Sequence, residues 1–162
     1  MSLAKTLQKM ASRGHVWVYR KTGGRVFTMG HRVVIVTTTG AKTHQPRTSP
    51  LVAFPRGEGW VVIAAAGREH SPGWYHNLVA NPDVVVERAT EVRRMVARQA
   101  VGIERDAIWR EVVEEEPAYD SFQRKSERTI PVMILESAPI QPSTAHRSVV
   151  AAGSVHIPPA AS

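Results

Sequence analysis

The stretch Asp83-Val-Val-Val-Glu-Arg-Ala-Thr-Glu-Val-Arg-Arg-Met-Val-Ala-Arg-Gln-Ala-Val101 decides the fold. It reads as two extended runs, 83–89 and 91–101, joined near Ala89-Thr90. In the second run Val92, Arg94, Val96 and Arg98 lie on one side of the pleat, and Arg93, Met95 and Ala97 on the other. Apolar residues on both sides predict a strand covered on both faces, as in a closed barrel. Upstream, residues 32–38 are rich in β-branched side chains and predict a strand. Residues 48–54 predict another, with Pro50 confining it to an edge or a bulge. Pro55-Arg-Gly-Glu-Gly59 is turn chemistry before the apolar run 60–66, so these two segments predict a hairpin. Residues 130–135 form the last strand, with Pro131 at an entry or edge position. Three helical segments are interspersed. Pro72 and Asn81-Pro82 punctuate a short helix over 72–81. Residues 103–116 bury Ile108, Trp109, Val112 and Val113 and stop at Pro117, and a short helix covers 119–125. The whole predicts an α+β domain whose six strands, mostly neighbours in sequence, form a small antiparallel barrel without exposed edges. A parallel βαβ sheet is disfavoured, because too few strand pairs are separated by a full helix.

A chain of 162 residues with 43% apolar and 22% charged residues is an ordinary globular domain. Without cysteine it has no disulfide framework, thiol nucleophile or Cys-ligated metal. The net charge of +7 is unevenly placed: residues 1–57 carry ten Lys/Arg and no Asp or Glu. That asymmetry points to a polyanionic partner. Residues 1–22 read as a basic amphipathic helix, with Leu3, Leu7, Met10 and Val18 at helical spacing and Lys5, Lys9 and Arg13 on other faces. Such a helix packs on its own domain or touches a membrane surface peripherally. The barrel domain is expected over 26–136 and a flexible tail over 137–162. The early apolar run 33–36 is too short for a signal peptide or a span, which predicts a cytoplasmic protein.

No P-loop, dinucleotide fingerprint, zinc-protease motif or nucleophile elbow occurs, and His44, His70 and His76 have no metal-ligand spacing. Nucleic acid is disfavoured as a partner, since no interleaved aromatics or known motif accompany the basic half. Two segments carry chemistry. Thr37-Thr-Thr-Gly-Ala-Lys-Thr-His-Gln-Pro-Arg-Thr-Ser-Pro50 leaves a strand, turns at Gly40 and presents Lys42 and Arg47 among hydroxyls. Backbone N–H groups and permanent cations are what a phosphate needs, although a hairpin without a ligand can have the same composition. Ser71-Pro-Gly-Trp-Tyr-His-Asn-Leu-Val-Ala-Asn-Pro82 sets Trp74 and Tyr75 beside Asn77. This suits one edge of a planar heterocycle, or simply pins the helix to the barrel through Trp74 and Leu78.

The run TTTGAKTHQPR followed by PL, then WYHNLVANP, VVVE and PAYDSFQRKSERTIPV, resembles the deazaflavin-dependent nitroreductase family over about residues 17–135. The resemblance implies a split β-barrel related to FMN-binding oxidoreductases. It also implies coenzyme F-420, a deazaflavin with a phosphodiester and an oligoglutamate tail, with FMN as the alternative cofactor. It places phosphate and tail contacts on Ala41, Lys42, Thr43 and Arg47. Thr48, Ser49, Pro50, Leu51 and Val52, with Ala64, Ala65, Ala66 and Gly67, would lie along the ring. Gly73, Trp74, Tyr75, His76 and Asn77 would form a further wall, and Tyr119 would close the pocket as a proton donor, water being the other source. Val52, Ala66, Glu116 and Phe122 stand where the family has a tyrosine, a serine and two tyrosines, and Gly67 replaces a lysine. The implied activity is hydride transfer from reduced F-420 to an enone, quinone or nitro compound, by a chain that is expected to be a homodimer. A deazaflavin carrier without turnover is the alternative from another class.

Overall fold

The computed structural model describes residues 32–65 and 70–138. The expected helix over 1–22 and almost all of the expected tail lie outside them. Six strands, β1 (Val33–Thr39), β2 (Pro46–Arg56), β3 (Gly59–Ile63), β4 (Asp83–Arg88), β5 (Glu91–Ala100) and β6 (Val132–Ser137), form a closed barrel. Their order around it is β1-β2-β3-β6-β5-β4, and every pairing is antiparallel. Helix α1 (Gly73–Ala80) lies between β3 and β4 in sequence; α2 (Gly102–Glu115) and α3 (Ala118–Arg124) lie between β5 and β6.

Alternation along the strands builds two cores. Val34 and Val36, Leu51 and Ala53, Val62, Val84 and Val86, Met95 and Ala97, and Met133 and Leu135 fill the barrel interior, capped by Leu78 of α1. The opposite faces of β2, β3 and β6, carrying Phe54, Val61, Ile63, Val132 and Ile134, receive Ile108 and Val112 of α2 and Tyr119 of α3. Arg98 on the outer face of β5 forks onto Glu104 at the start of α2 at 2.7 and 2.8 Å and reaches Glu136 of β6. The Arg98 guanidinium lowers the Glu104 carboxyl below its ordinary value. The two-sided burial expected for β5 holds only at its end. Val92 is 65% exposed and Arg94 is exposed, because α2 covers the sheet near Ala100 and not lower down.

Hydrogen bonding dictates where the barrel splits. The Ala53 N–H donates to the Arg32 carbonyl, so alternate residues of β2 (Leu51, Ala53) direct their polar groups at β1 and the others at β3. Pro50 therefore turns its missing N–H toward β3 and costs the β1 ladder nothing. The β2–β3 register runs only from Arg56↔Gly59 to Ala53↔Val62. Beyond it the Ile63 carbonyl, which faces β2, accepts from the N–H of Ala65 at 2.9 Å, and the chain turns away. The upper half of β2 thus has β1 on one side and an open notch on the other. Pro50 is an edge residue, as expected, although the barrel as a whole is closed.

Gly59 begins β3 where a Cβ would fall on the Leu135 carbonyl oxygen, a backbone atom that cannot move aside without breaking the β3–β6 ladder. Gly59→Ala is expected to destabilise the fold by about 2 kcal/mol. Gly73→Ala, where a Cβ meets nothing within 4 Å, should be neutral or slightly stabilising. Urea denaturation of the two variants checks the contrast.

Candidate active site

The chain between β1 and β2 closes as a short loop. The Gly40 N–H donates to the Gln45 carbonyl and the His44 N–H to the Gly40 carbonyl, both at 2.9 Å. His44 takes a left-handed backbone with φ of 54°. The turn is tight at Gly40, where a Cβ would meet the Thr43 hydroxyl at 2.6 Å and the Gln45 carbonyl at 3.2 Å. Ala41 is half-buried, while Lys42, Thr43 and Arg47 are exposed. No carboxylate occurs between residues 32 and 57, so the cations of this loop meet no internal competitor in their own segment.

A buried hydroxyl and an amide from α1 fix this loop. Asn77 Oδ1 accepts from the Ala41 N–H and Asn77 Nδ2 donates to Thr38 Oγ1, each at 3.0 Å. Thr38 Oγ1 in turn donates to the Arg47 carbonyl at 3.2 Å, and Asn81 Nδ2 donates to the Thr39 carbonyl. Thr38 is 2% exposed and is the buried polar residue of the barrel core. Both ends of the Asn77 amide are thereby engaged within the protein. The sequence pattern suits this amide to the edge of a ring; in the structure it holds the β1–β2 loop against α1. Thr38 and Asn81 have the same task and were not singled out by sequence, where nothing marks one threonine of three as the inward one.

The notch lies beside this loop. Thr48, Pro50 and Val52 line it from the outer face of β2, and Thr37 and Thr48 share a hydroxyl contact of 3.1 Å beneath it. Ser49 and Leu51 alternate inward, with Leu51 in the interior core, so they supply backbone rather than side chains to this face. The opposite wall is the β3 exit at Ala64 and Ala65, and Val52, Ala65 and Phe122 each pack against the outer core. Ala66 and Gly67 lie outside the described residues. Trp74 and Tyr75 pack against the barrel interior, and the Tyr75 hydroxyl donates to Gln99 Oε1 at 2.9 Å. Both aromatic rings thus pin the helix; Gly73 and His76 are exposed.

Tyr119 sits in the same outer core, edge-on to Phe54, Trp109 and Phe122, with ring centroids 5.7, 6.5 and 5.7 Å away. It is 2% exposed. Burial, helped by the charge of Glu116, pushes its phenol above its ordinary value, so it keeps its proton at any working pH.

The residues present fit a phosphorylated planar cofactor. An acid-free loop with two cations and a hydroxyl suits the anionic arm, and a backbone-walled notch with an apolar floor suits a flat ring. The described residues hold no cluster of His, Cys, Asp or Glu able to bind a metal ion. A cavity of about 310 Å³ opens at the other end of the barrel, around Trp60, Met95, Arg88 and Arg93. There Arg88 lies over the Trp60 ring at 5.0 Å and Arg93 pairs with Glu91. These charges occupy inward positions and close that mouth, away from the loop and notch.

Residues 11–137 match the family model of the F420H(2)-dependent quinone reductases. Two such reductases of Mycobacterium tuberculosis, from strains CDC 1551 and H37Rv, are each 37% identical over 134 residues, covering 76% of this chain and 87% of theirs. A solved F420-H2 dependent reductase (FDR-A) superposes with a TM-score of 0.59 at 37% identity, over 65% of this chain and 94% of its own. Another solved chain, described as a domain-swapped dimer, superposes with a TM-score of 0.60 at 34% identity, over 76% of this chain and 99% of its own. The matched span takes in all six strands and all three helices of the described residues, and the chain belongs to the F420H(2)-dependent quinone reductase family, oxidoreductases that take reduced coenzyme F-420 as hydride donor.

Proposed function

We propose that this chain reduces quinone-type electrophiles with reduced F-420, the ring lying in the notch and the anionic arm on the loop. The observation that carries this reading is the notch itself. Two backbone walls, residues 48–52 and 64–65, stand open between β2 and β3 directly beside an acid-free loop. When bound, the reduced deazaflavin supplies a hydride, and with one proton a quinone becomes a quinol.

Lys42 and Arg47 hold the phosphodiester and the carboxylates of the tail, with the Thr43 hydroxyl and the loop N–H groups as further donors. Asn77 and Thr38 keep that loop in place against α1. Backbone groups at residues 48–52 and 64–65 keep the ring flat and exclude water from one face. Val52 and Phe122, standing where the resemblance expects tyrosines, give the substrate side an apolar floor that suits a quinone better than a nitro group. Tyr119 closes the floor with a protonated phenol. Because it is 2% exposed, the proton that accompanies the hydride comes from water. Among the described residues no helix is long and apolar enough to cross a membrane. Residues 1–31 carry six Lys/Arg and no acid, which would bring the chain to an anionic lipid surface where an apolar quinone resides. The same reading takes the chain as a homodimer.

Quenching of tryptophan fluorescence by F-420, with FMN as the control, is expected to show saturable binding of F-420 in preference to FMN. No binding of either would sink the proposal. Loss of the reduced cofactor's absorbance only after a quinone is added separates a reductase from a carrier. Lys42→Ala should weaken F-420 binding by roughly fivefold at low salt, about 1 kcal/mol, with the difference shrinking as salt is raised. An unchanged affinity at low salt places the anionic arm elsewhere. Tyr119→Phe should leave the single-turnover hydride-transfer rate within about threefold. A fall of about 100-fold or more would make the phenol the general acid.

A further inference from the structure

Ala64 and Pro131 stand opposite each other one step beyond the Ile63↔Val132 pair of the β3–β6 ladder. The Ala64 N–H donates to the Pro131 carbonyl at 2.9 Å, so this is a hydrogen-bonding position, and the reciprocal bond should run from residue 131 back to the Ala64 carbonyl. Proline has no N–H, so the ladder leaves that carbonyl without its partner. The missing donor comes from three residues upstream: Arg128 Nη2 donates to the Ala64 carbonyl at 3.1 Å. The same nitrogen donates to the His70 carbonyl at 3.0 Å, so one guanidinium corner holds the chain on both sides of residues 66–69. The segment that carries Arg128 is itself fixed. Its carbonyl accepts from Gln123 Nε2 and Ser126 Oγ, and Gln123 Oε1 accepts from the Ile130 N–H.

The geometry points to Arg128 as the positioning residue for the β3 wall of the notch. Acting through the Ala64 carbonyl, it holds residues 64–65 on the β6 side, away from β2, and so sets the width in which a planar ring is held. This rests on the ring site proposed above. Stability alone does not account for the arrangement. Arg128 Nε and Nη1 are buried with no hydrogen-bond partner among the described residues, so the guanidinium gives up hydration at two donor atoms in return for two bonds to neutral carbonyls. A residue with an N–H at position 131 would satisfy Ala64 without burying a charge. The Arg128–Pro131 arrangement instead fixes the strand exit from outside the sheet and ties it to His70.

A double-variant rescue tests this. Arg128→Met is expected to lower F-420 affinity about tenfold and to speed amide hydrogen exchange at Ala64 by at least about tenfold, with far-UV circular dichroism unchanged. Adding Pro131→Ala gives the Ala64 carbonyl a ladder donor, and the double variant should recover both quantities to within about threefold of wild type. Wild-type affinity and exchange in Arg128→Met would overturn the proposal. So would a double variant that stays impaired, or that fails to fold where the single variant fails. The exchange measurement needs no cofactor: if wild type bound no F-420, the ring site would be rejected while the hold of Arg128 on Ala64 would still be decided.

Discussion

A closed barrel pairs its backbone all the way round, and here the β2–β3 pairing ends at Ala53↔Val62, where the Ile63 carbonyl accepts from the Ala65 N–H, with two residues that cannot donate just beyond the ladder ends. Pro50 aims its missing N–H at β3, and Pro131 aims its own at Ala64. Neither costs much where it stands: Pro50 turns its nitrogen away from the β1 ladder and lies beyond the β2–β3 register, and Pro131 stands at the end of the β3–β6 ladder. Neither can donate a bond that would extend β2, β3 and β6 toward the top of the barrel. The opening between β2 and the β3 exit follows from that constraint, and everything assigned to the ring site lies along it. A barrel fully laddered at this point would have a tighter top and no slot for a planar molecule.

The two walls of the notch are held from different directions. On the β2 side, the β1 ladder and the Asn77–Thr38–Arg47 chain of hydrogen bonds fix the strand and its loop to α1. On the β3 side, Arg128 fixes the exit to the helical layer through Gln123, and Gln123 also accepts from Arg105 of α2. The floor between them is apolar: Val52, Ala65 and Phe122 over the enclosed Tyr119. The two walls are therefore held by separate parts of the chain, while the floor draws Val52 from one and Ala65 from the other. At the opposite mouth, Arg88 stacked on Trp60 and the Arg93–Glu91 pair close the interior.

Much of this was legible from residue pattern. Alternation in residues 83–101 carried the barrel, Pro50 and Pro131 carried the edge and entry positions, and Gly40 carried the turn between β1 and β2. What could not be read depends on register. Asn77 seemed suited to a heterocycle, yet its amide is taken by Thr38 and Ala41, 39 and 36 residues away in sequence. Arg128 acquires meaning only once Ala64 is known to face Pro131, a pairing that no local window contains. The two-sided apolar pattern of β5 was read as two-sided cover, but the outer Val92 is exposed because helix coverage depends on where α2 lands. Tyr119 was identified by resemblance, and its enclosure by three other aromatic rings is a property of the α2–α3 layer that spacing does not encode.

The uneven charge also divides into two roles. Lys42 and Arg47 are exposed, so water and salt screen them, and their attraction for a polyanionic arm favours capture more than selectivity. Any phosphorylated ligand would feel them. In the proposed site, discrimination between a deazaflavin and another planar phosphate falls to the notch, where backbone walls meet an apolar floor and a misfit is not screened by salt. An exposed pair of cations is tolerant of Lys/Arg exchange. A wall set by one proline and one half-buried arginine is not, since neither residue has a substitute that keeps both the missing donor and its replacement.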